Sequence, residues 1–459
     1  MALRLNHWHA RYTLPLPGPV TEEPGITDAD PFMTDRIFLR LTLPAYLCMA
    51  LLSACGPGDE SRLQPSGHAV TALAADQPFA QYQSDARQQI RSALEQGPFA
   101  REDAPFGPGY ALEQVVTMRS PWQIGPDPDC EPATSTTGFL FIHGLSDSPY
   151  TVRAVAHSLS ATRPCALFRS VLLPGHGTAP GDLLSTHRDE WRTTVTHAVE
   201  QLLDETERLH LVGYSTGAAL ALEQMDRRRD DPRLSSLILL SPALDLGNPL
   251  GWLTPMLRYV QPWLSVAPDR DAAKYESFPM NAAAQAHLLL RELDLMHMEK
   301  LQRPVFMVTT GDDTTVNPQT AGQFFCERVT PEHRYMLWYH SPETGSEPDS
   351  QCEGLQPRTA RASALRVVTL SHVGTSLPPT DGHYGLAGGY RQCLRYRNDG
   401  ERHRQCLEDD RKTVYGEPER LTDSDDLYHG SLVRRTTFNP HYNAMIQSLD
   451  CFLQEACQP

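Results

Sequence analysis

Apolar and polar residues fall into alternating blocks from Gly138 onward. Gly138-Phe-Leu-Phe-Ile-His143-Gly144 is a continuous apolar run bounded by glycine, the pattern of a strand covered on both faces. Tyr150–Ala161 places Val152, Val155, Ala156 and Leu159 at helical spacing. Ala166–Leu173 predicts a second strand and Arg188–Arg208 a helix, with Trp191, Val195, Val199 and Leu202 or Leu203 on its apolar face. Leu209–Tyr214 predicts a third strand, Thr216–Arg227 a helix, and Leu234–Leu240 a fourth strand. This rhythm predicts an α/β chain whose mainly parallel sheet is covered by helices on both faces.

The rhythm breaks at Gly247–Lys300, which is rich in large apolar groups such as Leu250, Trp252, Met256, Tyr259 and Trp263. Two readings stand: a cap over a binding site, or a helical excursion that completes the core. Pro304–Thr309 resumes the sheet, and Ala364–Leu370 predicts a later strand. The polar stretch Ser341–Ala360 between them reads as an exposed insertion, and Asn439–Glu455 as a closing helix. Upstream, Tyr82–Gln96 has helical character and stops at Gly97-Pro98, while Ala111–Ile124 carries β-type patches. Residues 56–80, rich in Gly, Pro, Ser, Ala and Gln, read as a flexible tether.

Length and charge narrow the classes. The 459 residues allow two or three domains, or one large α/β domain with insertions. A formal net charge of −16 argues against nucleic acid as a partner. At the N-terminal end, Arg36 and Arg40 precede the apolar stretch Leu41–Leu52, which suits a signal-peptide core better than a membrane span. The alternative is a buried helix ending in Ala-Cys. Leu52-Ser53-Ala54-Cys55 resembles the bacterial lipobox. That resemblance implies diacylation of Cys55, a lipid anchor in the cell envelope and, with Gly56 next, the outer membrane. Residues 33–54 are then expected to form the signal peptide, with Met33 as the initiator and residues 1–32 an extension. Cys48 lies in the signal. The other eight of the 10 cysteines, apart from Cys55, form an even set suited to an oxidising compartment. The simplest local pairs are Cys393–Cys406 and Cys451–Cys457, with free thiols the alternative.

The stretch from Leu209 to Leu220 holds the chemistry: a strand, then Gly213-Tyr214-Ser215-Thr216-Gly217, then a helix, with Ser215 at the apex of the turn. A serine hydroxyl is a weak nucleophile and needs a base, which needs a third group to orient it. With these residues the chain resembles the α/β-hydrolase superfamily, bacterial-type carboxylesterases and monoacylglycerol lipases in particular, from about Ala111 to the C-terminus. The resemblance implies an α/β-hydrolase fold over residues 111–459, with a helical cap at 247–300 behind a tether and N-terminal segment at 55–110. It also implies the chain order serine, acid, histidine. Asp313 fits the acid by its spacing to Val316; Asp312 and Asp245 are alternatives. His372, in Ser371-His372-Val373, fits the base, and His383 is its competitor as well as a candidate structural loop histidine. His143-Gly144-Leu145 resembles an oxyanion loop in which the N–H groups of Leu145 and Thr216 face the serine. His143 and His176 are expected to hold loops rather than to react. Tyr214, Trp252 and Met256 are candidate substrate contacts.

No His-x-x-x-His helix, Cys-x-x-Cys pair or Gly-x-Gly-x-x-Gly turn is present, so neither a metal nor a dinucleotide cofactor is expected. The leading expectation is an envelope-anchored serine hydrolase of carboxylic esters, monoacylglycerols or short- to medium-chain acyl esters. A thioesterase, amidase or acyltransferase with the same residues is the second, and a non-catalytic binding module the third.

Overall fold

The computed structural model describes residues 63–96, 109–130, 137–248, 250–341, 347–349, 351–421 and 428–455. The signal peptide, Met33 and Cys55 lie outside them. Among the described residues, no helix is long and apolar enough to cross a membrane.

The elements run in the order α1 (Phe79–Gln96), α2 (Leu112–Arg119), β1 (Trp122–Ile124), β2 (Thr137–Ile142), α3 (Tyr150–Ser160), β3 (Leu167–Val171), α4 (Arg188–Glu205), β4 (Arg208–Tyr214), α5 (Thr216–Arg227) and β5 (Leu234–Leu240). There follow α6 (Thr254–Leu257), β6 (Trp263–Ser265), β7 (Phe278–Pro279), α7 (Met280–Leu293), β8 (Val305–Thr310), α8 (Pro318–Arg328), β9 (Arg334–His340) and β10 (Leu355–Thr359). The chain closes with α9 (Gly400–Glu408), β11 (Thr413–Gly416), β12 (Leu432–Arg435) and α10 (Tyr442–Leu453). Eight strands make the main sheet in the order β1-β3-β2-β4-β5-β8-β9-β10. All its pairings are parallel except β1 with β3.

Alternation along each strand divides the core. Phe139 and Phe141 of β2 face one side with Val152, Val155 and Leu159 of α3 and Met445 and Leu449 of α10. Leu140 and Ile142 face the other, with Trp191 and Val195 of α4 and Leu220 of α5. Side chains of a strand point alternately to its two faces, so an apolar run with no polar alternation demands helices on both.

Four expectations need correction. From Leu63 on, the expected tether is packed: Val70 and Leu73 are buried, and both the backbone N–H and the hydroxyl of Ser66 donate to the Asp182 carboxylate at 2.7 Å. Within Ala111–Ile124, Leu112–Arg119 is a helix, because Val115, Val116 and Met118 bury together against Ile90 and Leu94 of α1. Ala364–Leu370 is not a strand. Arg366 takes a left-handed φ of 55°, which breaks extension, and the Val368 N–H bonds to Tyr415 O in β11. Sheet positions beyond β8 go instead to β9, which the pattern reading omitted, and to β10, which lies inside the expected insertion.

Part of the Gly247–Lys300 stretch completes the core. Its helix α7 buries Ala282, Leu289 and Leu293 in the main core. Its first half leaves Leu250, Trp252, Met256, Tyr259 and Val260 exposed. Disulfides join Cys130 to Cys165, Cys326 to Cys352 and Cys393 to Cys406, the last as expected. Cys451 is also disulfide-bonded, and its expected partner Cys457 lies outside the described residues.

Candidate active site

Ser215 sits between β4 and α5 with φ 53° and ψ −119°, a conformation that costs a non-glycine residue energy and persists only where its surroundings impose it. Those surroundings are tight. A Cβ on Gly213 would run into Ala218 and the Gly217 carbonyl, and one on Gly217 into the carbonyls of Ile142 and His143. Both glycines of the Gly-x-Ser-x-Gly run are therefore demanded by close backbone approach. Ser215 N–H donates to Leu240 O, and Ser215 O accepts from the N–H groups of Ala218 and Ala243, so the turn is fastened to the ends of neighbouring segments.

The other candidates converge on this turn. His372 Nε2 lies 2.9 Å from Ser215 Oγ, and His372 Nδ1 lies 2.7 Å from Asp313 Oδ2. All three side chains are buried. Asp313 Oδ1 accepts from the N–H groups of Thr315 and Val316, at 2.7 and 3.0 Å. Burial alone pushes a carboxyl up; here the charge and hydrogen bond of His372, with those two N–H groups, outweigh it and hold Asp313 below the usual carboxylate range. With Asp313 ionised, Nδ1 of His372 carries the proton and Nε2 is free to accept from the serine hydroxyl.

The alternatives are engaged elsewhere. Asp312 Oδ2 accepts from Ser341 Oγ and Leu370 N–H. Asp245 is exposed and accepts from Asn317 Nδ2 and Thr320 Oγ1. His383 is buried between Tyr110, whose hydroxyl is 2.7 Å from Nδ1, and Asp271, 2.9 Å from Nε2. It ties a loop to the segment before α2 and to the middle of the 247–300 stretch.

The His143-Gly144-Leu145 loop lies against the serine: a Cβ on Gly144 would be 3.0 Å from Ser215 Cβ. Two histidines hold it. His143 Nε2 accepts from Leu173 N–H at 3.0 Å and its Nδ1 donates to Gly144 O at 2.8 Å. His176 Nε2 accepts from Ser146 N–H at 3.0 Å while Nδ1 faces Pro174 O at 3.1 Å. Burial lowers His143 well below the ordinary histidine value and His176 to about 4, so both stay neutral and keep an acceptor nitrogen. Thr216 is the first residue of α5, where the N–H has no intrahelical partner. Leu145 is half-buried and packs on the main core.

Tyr214 is buried behind the histidine, its hydroxyl 3.3 Å from His372 O, which also accepts from Ser241 Oγ at 3.2 Å. The pattern reading missed Ser241; its only signal is its place at the end of β5. Trp252 and Met256 stand 58% and 67% exposed on the first half of the 247–300 stretch. Trp252 also lines a cavity of about 280 Å³ with Asp245, His287 and Asn317. Among the described residues, no three His, Cys, Asp or Glu side chains are grouped to hold a metal ion.

A sheet of this topology, with a serine at the apex after β4 and a histidine bonded to it, defines an α/β hydrolase. The alpha/beta hydrolase family model matches residues 139–384, over half of the chain, and the chain belongs to that family. It is 22% identical to the thermostable monoacylglycerol lipase of Bacillus sp. (strain H-257) over 196 residues, 41% of this chain and 75% of the relative. Among solved structures, one described under LipS and LipT, two metagenome-derived lipolytic enzymes, is 19% identical. It covers 48% of this chain and 86% of its own, with a TM-score of 0.41. The monoacylglycerol lipase of Paleococcus ferrophilus is 17% identical, covering 48% and 88%, with a TM-score of 0.39.

Proposed function

We propose that this chain hydrolyses carboxylic esters through a Ser215–His372–Asp313 triad and an acyl-enzyme intermediate. The observation that carries the reading is the unbroken hydrogen-bonded array from Ser215 Oγ through His372 to Asp313. Ser215 Oγ attacks the ester carbonyl as His372 Nε2 takes its proton. The N–H groups of Leu145 and Thr216 receive the developing oxyanion, and His372 then protonates the departing alcohol. Water, deprotonated by His372, then attacks the acyl-enzyme carbonyl; the acyl–Oγ bond breaks and His372 returns the proton to Ser215 Oγ, while Asp313 keeps the imidazole oriented and stabilises its charged form.

The substrates proposed are monoacylglycerols or short- to medium-chain acyl esters. The monoacylglycerol lipase relative and the exposed apolar side chains of residues 250–260 support an acyl chain as the bound group. Diacylation at Cys55 would hold the enzyme at the cell envelope, close to such lipids. Ser215→Ala is expected to abolish p-nitrophenyl ester hydrolysis and labelling by a fluorophosphonate probe; a variant still labelled would sink the nucleophile assignment. Turnover of thioester or amide substrates faster than esters would move the proposal to those classes.

A further inference from the structure

The family model ends at residue 384, and the last helix, α10, begins at Tyr442. The segment between them carries α9, β11, β12 and the Cys393–Cys406 disulfide, and it touches the candidate site from outside the shared part of the fold. On the acid side, Arg435 Nη2 donates to Thr315 Oγ1 at 2.7 Å, while its Nε and Nη2 donate to Glu417 Oε2 at 3.1 and 3.0 Å. Arg420 Nη2 donates to the backbone oxygen of Asp313 at 3.2 Å. On the histidine side, Glu417 N–H donates to Thr369 Oγ1 at 2.5 Å and Ser371 Oγ donates to Thr436 O at 2.5 Å. Thr315 and Ser371 are the near neighbours of Asp313 and His372. One short segment therefore grips both loops that must be in register.

We propose that Arg435 and Arg420 are positioning residues: they hold the Asp312–Thr315 loop so that Asp313 meets His372 Nδ1. This inference rests on reading Ser215, His372 and Asp313 as the triad. The physical need follows from the fold. With Ala364–Leu370 lacking a ladder, the histidine loop has no strand partner of its own; beside its bonds to Asp312, Thr310, Ser341, Tyr214 and Ser241 it is held by Tyr415, Thr436 and Glu417. Arg435 is held at Glu417 by charge-assisted bonds, stronger than neutral ones, so its reach to Thr315 is fixed rather than floppy. Displacing an acid by a fraction of an ångström weakens the orientation of the imidazole and leaves the binding of the ester untouched.

The test uses the full chain and a p-nitrophenyl ester. The double variant Arg420→Met/Arg435→Met is expected to lose about tenfold to hundredfold in kcat, with KM within twofold of the parent. The low-field proton resonance of His372 Nδ1–H is expected to move or vanish, and Arg435→Lys to restore part of kcat. A folded double variant with kcat within twofold of the parent overturns the proposal, and so does a kcat loss with that resonance unmoved. If the arginine variants do not fold, Thr315→Val decides: about fivefold lower kcat supports the proposal, unchanged kcat overturns it. Ser215→Ala run alongside separates the two readings. Activity surviving there removes the triad itself, whereas activity lost there and kept in the arginine variants removes only this inference.

Discussion

Asp312 and Asp313 are adjacent, both buried, and differ in what they face. The Asp313 carboxylate points at His372 Nδ1; the Asp312 carboxylate is spent on Ser341 and Leu370. Asp313→Asn is therefore expected to lower kcat by roughly 10³–10⁴-fold, since an amide favours the wrong imidazole tautomer. Asp312→Asn keeps an acceptor for Leu370 and is expected to stay within tenfold of the parent; steady-state kinetics on both checks the pair. His176 gives a second residue-scale expectation. Its folded value of about 4 lies below the ordinary 6.5, so the unfolded chain binds the extra proton between those pH values. Stability is full above about pH 6.5 and falls as the pH drops toward 4, by up to about 3 kcal/mol from this group. Urea unfolding at pH 7 and pH 4.5 is expected to show a shallower loss in His176→Gln than in the parent.

At the scale of elements, the parts legible in the sequence are those whose hydrogen bonds are local or repeated. The apolar runs of β2, β4 and β5 and the spacing of α3, α4 and α5 announce themselves because each buries a periodic face. The turn at Ser215 is legible because two glycines are required there by backbone contact. Gly217→Ala is expected to destabilise the fold by about 1–3 kcal/mol, through its push on the Ile142 and His143 carbonyls, which a shift in urea midpoint measures. The edge of the sheet was not legible. Ala364–Leu370 is as apolar as a strand, yet it makes only isolated bridges, from Val367 back to Ala362 and across to Tyr415, and no local pattern encodes a partner as distant as Tyr415. β9 could have been found, since Tyr335, Trp338 and Tyr339 are typical strand formers set in an unbroken apolar run. For α2, burial against α1 overrides the β preference of Val115 and Val116.

At the scale of the whole molecule, the family's shared stretch is flanked by two additions that both bear on it. The N-terminal one reaches the sheet through Tyr82, whose hydroxyl donates to Leu172 O at 2.6 Å and accepts from Leu172 N–H at 3.1 Å, beside the loop that holds His176. The C-terminal one contains the Cys393–Cys406 bridge, with a sequence separation of 13. Replacing both cysteines with serine is expected to cost about 3 kcal/mol, read as a lower urea midpoint. The three catalytic candidates were legible by order and spacing; the additions that steady them were not, because they act through side-chain bonds between segments far apart in the chain.

The place of Arg420, Arg435 and Thr436 downstream of His372 bears on how the molecule is made. Ribosomes deliver Ser215, Asp313 and His372 first, and the groups that steady the last two only when residue 436 has emerged. A nascent chain that stops short of residue 420 thus holds the three candidate side chains without these contacts. On the proposed reading, the alignment of Asp313 and His372 therefore waits until residue 436 has been made.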